Sequence, residues 1–157
     1  HILLDGEAIE AFDRDGDLPQ VVESKTFDGS VDALEATLQK YQQEHDQVAI
    51  IGKTLEDSEQ LCKALEQRGV KTTLIRTENQ RLVKGTIIVP SFLAKGLEFD
   101  AVIVWNANDQ QYHGDDERQL LYTICSRAMH ELTLTAVGKV TPLLDQVPAD
   151  EYELINK

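Results

Sequence analysis

At 157 residues the chain is long enough for one real hydrophobic core and too short for two ordinary domains. An apolar fraction of 41% with well-mixed charge excludes a disordered or fibrous chain. The formal charge of −13 argues against nucleic-acid binding through the averaged field, because that affinity rests on neutralising phosphates with Lys and Arg; a small local contact survives it.

No stretch approaches 18 uninterrupted apolar residues, and the N-terminus lacks the basic-then-apolar layout of a secretion signal. A soluble, cytoplasmic chain with no membrane partner is expected. Cys62 and Cys125 fall on apolar positions of predicted helices, where a reduced thiol acts as a small hydrophobe, so no disulfide is expected. His1, His45, His113 and His130 are too scattered for the paired spacing of a zinc site, and no metal site is assigned. Asp115, Asp116 and Glu117 beside His113 read as a solvated loop supplying a helix N-cap rather than as a cation site.

Residues 1–29, rich in glycine and acidic groups and without a sustained period, read as an irregular lead-in, with Val21 and Val22 opening an edge strand. From Ser30 as N-cap, Val31, Leu34, Leu38 and Tyr41 recur at helical spacing and predict an amphipathic helix. The apolar run 48–51 predicts a strand buried on both faces. A second helix follows, with Thr54 as N-cap, Leu61, Cys62 and Leu65 facing inward and Gly69 as terminator. Three β-branched runs, 72–75, 86–89 and 101–105, predict further strands. Residues 115–129 carry apolar side chains at 120, 121, 124, 125 and 129 on one helical face, and 132–137 reads as the last strand.

Strands alternating with helices imply crossovers, and crossovers imply a mainly parallel sheet covered on both faces. The expected fold class is α/β, an open sheet of five or six strands within residues 30–140, followed by a tail at 141–157. In such sheets ligands gather at the carboxyl ends of the strands, so the loops leaving strands draw the functional scrutiny.

Gly52-Lys53-Thr54 imitates the end of a phosphate loop, but position 47 is Gln where the motif needs glycine, and 48–51 is strand-like. It reads as a strand exit and helix cap. The stretch Ser91-Phe92-Leu93-Ala94-Lys95-Gly96-Leu97-Glu98-Phe99 reads as a loop leaving one strand and joining a neighbour. Gly96 there permits an unusual backbone angle or close approach to a ligand, Lys95 offers a cation and Glu98 an acceptor for hydroxyls. A surface turn with a scattered charge pair is the plainer alternative. Arg127 falls at the border of the apolar face of the last helix, beside Thr123, where a packed stem aims the guanidinium along the surface and could grip a phosphate. An ordinary arginine with a packed stem is the alternative there.

Together and in this order, LAKGLEFDAVIV and ERQLLYTICSRAMHELTLT resemble motifs V and VI of superfamily 1 helicases of the UvrD/Rep type. The resemblance covers mainly residues 85–137. It implies a RecA-like domain, the second of two in a motor that binds ATP with Mg2+ between them, the metal ligands lying in the N-terminal motor domain. Position by position it implies that Arg127 reaches the ATP γ-phosphate as a catalytic group and that Glu98 lies near the ribose. Lys95 and Gly96 belong to the loop that links nucleotide to the nucleic-acid track, and Ser91 and Phe92 face nucleic acid. Where the family's motif V begins Thr-x-His, this chain has Pro90 and Phe92, and Ser126 replaces Thr in motif VI. VPSFLAKGLEFDAVIV is similar to the HelD branch of helicase-like ATPases, which act on bacterial RNA polymerase. The implied partners are the N-terminal RecA-like domain of the same parent chain, DNA and RNA polymerase. Ile75-Arg76-Thr77 imitates motif IV at the wrong place in the fold, and no role is carried to Arg76.

Two other functional classes remain open on the residues alone. One is a non-catalytic interaction module whose acidity meets a basic protein surface. The other, a free-standing small-molecule enzyme, lacks any Ser/His/Asp or Cys/His arrangement.

Overall fold

The computed structural model describes residues 10–13 and 17–157; the remainder of the expected lead-in, His1 included, lies outside the described residues. Seven strands form one sheet in the order β3-β4-β2-β5-β6-β1-β7, and every pairing is parallel. They are β1 (Gln20–Ser24), β2 (Gln47–Gly52), β3 (Thr73–Leu74), β4 (Gly85–Pro90), β5 (Phe99–Val104), β6 (Ala128–Val137) and β7 (Glu153–Asn156). The helices are α1 (Phe27–Glu44), α2 (Leu55–Gln67) and α3 (Gly114–Cys125). The α/β open sheet is as expected, with more strands than the five or six predicted. No described helix is long and apolar enough to cross a membrane.

Burial on both faces explains the unbroken apolar strands. Val48 and Ile50 of β2 join Ile88 and Ile103 against Val31, Leu34 and Leu38 of α1 and Leu61 and Leu65 of α2. Ala49 and Ile51 alternate to the opposite face, packed with Leu121, Ile124 and Cys125 of α3 and with Leu143 and Leu144 of the closing segment.

Three boundaries differ from the sequence reading. Val21 and Val22 belong to an interior strand, since β1 lies between β6 and β7, and the tail supplies β7; the sheet therefore uses residues on both sides of 30–140. Helix α1 begins a turn early, with Thr26 accepting a hydrogen bond from Gly29 N at 2.9 Å, while Ser30 is buried inside the helix. Phe27 then packs edge-on against Trp105. Helix α3 ends at Cys125, so Arg127 lies in the turn before β6, and Met129, expected on the helical face, is a strand residue 48% exposed. The Thr54 cap of α2 and its termination near Gly69, at φ 75°, are as expected.

Candidate functional site

The segment 91–98 connects β4 to β5 across β2, its neighbour on both sides. Pro90 lies level with Gly52, at the carboxyl end of β2, whereas β5 restarts below Val48, at the amino end. The loop therefore runs the length of the sheet face, on the side where Leu93, Ala94, Leu97 and Phe99 pack beneath α3. This corrects the expectation that the loop leaves one strand and joins a neighbour, since β2 lies between β4 and β5. Ser91 sits at the carboxyl edge, and Glu98 at the amino edge beside Arg127.

Turns stitch the crossover down. The residues 91–93 form a single 3-10 turn, with Ala94 N donating to Ser91 O at 3.1 Å and Leu97 N to Ala94 O at 3.1 Å. Gly96 holds φ 73°, a left-handed angle that strains any residue with a Cβ. The Ser91 hydroxyl is buried and donates to Lys53 O at 2.6 Å, so it faces the protein, while Phe92 is 53% exposed. Lys95, Gly96 and Glu98 are exposed.

Arg127 is half-buried and fastened to this loop. Its Nε donates to Thr123 O at 3.2 Å and its Nη1 to Leu97 O at 3.2 Å. Its own carbonyl accepts from Phe99 N at 2.8 Å. Glu98 is thus flanked on both sides by residues hydrogen-bonded to Arg127. A cavity of about 250 Å³ opens here, lined by Ser91, Ala94, Lys95, Gln119, Thr123 and Arg127 among others. The structure therefore gathers Ser91, Lys95 and Arg127 around one hollow, with Gly96 in its turn and Glu98 next to it on the surface.

Lys53, set aside as a false phosphate loop, has a structural partner that spacing could not reveal. Its ammonium pairs with Glu117 in the first turn of α3 and lies 5.6 Å from the centre of the Tyr112 ring. That ammonium, with the bond from His113 N, holds the Glu117 carboxyl below the usual carboxylate range against the opposing effect of burial. Arg76 pairs with Glu59 on the exposed outside of α2, far in sequence from the crossover, and contributes nothing to the hollow.

A family model described as the UvrD-like helicase C-terminal domain matches residues 87–135, the span that holds both the crossover and Arg127. The chain is similar, at 56% identity and a TM-score of 0.86, to the solved C-terminal domain of a possible DNA helicase from Lactobacillus plantarum WCFS1. That match covers 96% of this chain and 94% of that one. The same fold recurs at 10% identity and TM-score 0.60 in the arterivirus helicase nonstructural protein 10, covering 96% of this chain and 36% of that one. The complex of that helicase with DNA matches at 13% identity and TM-score 0.56, covering 96% and 37%. These distant matches show the fold alone. No curated protein matches the chain significantly.

Proposed function

This chain belongs to the UvrD-like helicase C-terminal domain family, and from that premise we propose that it supplies the second half of the ATP site of a DNA helicase or translocase. One observation carries the proposal. Arg127 is bonded to Leu97 O by its side chain and to Phe99 N by its main chain, so the two motif segments form one unit around Glu98.

The donor set fits half a nucleotide site. Two Arg127 N–H groups are engaged by Thr123 and Leu97, and the rest of the guanidinium is available to an incoming anion. Lys95 adds an exposed cation on the same hollow, and Glu98 an exposed acceptor for ribose hydroxyls. Neither a phosphate-cradling loop nor a Mg2+ carboxylate set belongs to this hollow, so those parts fall to the N-terminal RecA-like domain of the parent. Mg2+, bound there with ATP, would offset charge on the phosphates. Arg127, held on a separate domain, meets the γ-phosphoryl charge only when the two domains close, which couples hydrolysis to movement.

The output of that movement follows from the other end of the crossover. Phe92, exposed where the family places its Thr-x-His histidine, presents an aromatic face on which a base of DNA stacks. With Pro90 preceding it, this end is similar to HelD-type motif V, and removal of RNA polymerase from DNA is the specific work we assign to the parent. The isolated chain, holding half a site, is inert.

Glu98 gives the direct test of the nucleotide assignment. In the full-length parent, ATP should be favoured over 2′,3′-dideoxy-ATP by about tenfold or more in kcat/KM, one hydrogen bond to a charged acceptor. Glu98→Ala should erase the preference. Equal discrimination by the variant would remove Glu98 from the site.

A further inference from the structure

The C-terminal end of α1 meets the start of β6 at a group of side chains the motor does not use. His45 caps α1 and places Nε2 in a short contact with Glu131 Oε2 and 3.9 Å from Glu44 Oε2. One potential ligand atom from each of Glu44, His45 and Glu131 lies within 4.8 Å of the other two. Two of the three side chains are sheltered, His45 and Glu131 being 16% and 10% exposed, and Glu44, 48% exposed, closes the group from the solvent side. The His130 ring stacks on His45, centroids 6.4 Å apart and planes within 5°.

Two features make this more than a surface ion pair. The β5–β6 register shifts between Phe99 and Ala101, so that Ala101 faces Glu131, and bulges of this kind re-aim side chains. The two carboxyls also crowd one imidazole, Glu131 Oε2 in short contact with His45 Nε2 and Glu44 Oε2 3.9 Å from the same nitrogen. Excess negative charge in a sheltered place is what a dication neutralises.

We propose that Glu44, His45 and Glu131 bind a divalent cation of the Zn2+ class, tying the end of α1 to β6. An imidazole nitrogen with two carboxylate oxygens is a donor set suited to Zn2+, with a fourth position left to water. Donors held at about 2.0–2.2 Å from a tetrahedral ion stand roughly 3.4 Å from one another, a spacing that small side-chain rotations reach from this arrangement. Mg2+, which demands octahedral oxygen ligands, is disfavoured by the imidazole, so the site is separate from the metal that accompanies ATP.

The test uses the purified chain with Zn2+, Co2+ or Mg2+ as the sole added ligand, followed by calorimetry, thermal melting and the visible spectrum of the Co2+ form. The expected result is one Zn2+ per chain, a rise in Tm of about 5–10 °C at a hundredfold excess over Kd, and no response to Mg2+. Glu44→Gln, at a half-exposed position where the fold tolerates it, and His45→Gln should each weaken binding by about 100-fold. His113→Gln, at an exposed histidine elsewhere, should leave it unchanged. Absence of binding by the wild type, or binding that survives Glu44→Gln and His45→Gln, overturns the proposal.

Discussion

Tyr112 and Tyr122 are both buried phenols, and they differ in what the hydroxyl finds. Tyr122 donates to Leu143 O at 2.5 Å, whereas the Tyr112 hydroxyl is buried without a hydrogen-bond partner among the described residues, and that burial pushes its pKa well up. A buried unpaired hydroxyl opposes folding, while a made bond contributes about 1 kcal/mol. Tyr112→Phe should therefore leave stability unchanged or raise it by up to about 1 kcal/mol, and Tyr122→Phe should lower it by about 1 kcal/mol, as read from urea midpoints. The reverse order would contradict the assigned bonding. At this scale the sequence reveals identity better than partnership. Arg127, Glu98 and Gly96 can be picked out from their motifs, but the Leu97 carbonyl that holds Arg127 is a main-chain atom that no side-chain pattern marks. The pairing of His45 with Glu131 spans 86 residues and is equally invisible before folding.

Among the elements, α2 and β2 were the most legible, because a threonine cap, helical spacing and a glycine stop agree for one, and an unbroken apolar run marks the other. Helix α3 is shorter than its apolar spacing predicts. Its apolar spacing runs on through 128 and 129, but the parallel pairing of Ala128 with Phe99 claims those residues for β6, and tertiary pairing overrides local periodicity. The first turn of α3 is tied to the end of β2 by another long-range feature, the Lys53–Glu117 pair. Because the folded Glu117 pKa is lowered, the pair's stabilisation is present above the unfolded value near 4.3 and is lost as pH falls through the folded one. Glu117→Gln should thus cost about 1 kcal/mol at pH 7, with the gap to wild type closing towards pH 3 in denaturant titrations. A gap that stays constant with pH would show that the pair contributes no charge-dependent stability.

For the whole molecule, alternation of strands and helices predicts the α/β class, and Val21 and Val22 predict the strand that is β1, though at an edge rather than between β6 and β7; β7 has no counterpart in the sequence pattern. Two adjacent valines are too short a run to show that β1 is paired on both sides, and β7 has only one half-buried residue, Ile155, so it does not announce itself without its neighbour. The complete sheet is the scaffold that carries one crossover from the carboxyl edge, where Phe92 is exposed, to the amino edge, where Glu98 and Arg127 meet. Under the proposed function, this single segment joining the two edges is the physical route that links a nucleotide to DNA. The most direct test of this account is steady-state ATP hydrolysis by the full-length parent, wild type against Arg127→Ala, with nucleotide affinity measured alongside. An arginine that stabilises γ-phosphoryl transfer is worth about 10³ to 10⁵ in rate, so the account predicts a loss of that size with binding largely kept. An unchanged rate would contradict it and leave an acidic, non-catalytic interaction module as the better description of this domain.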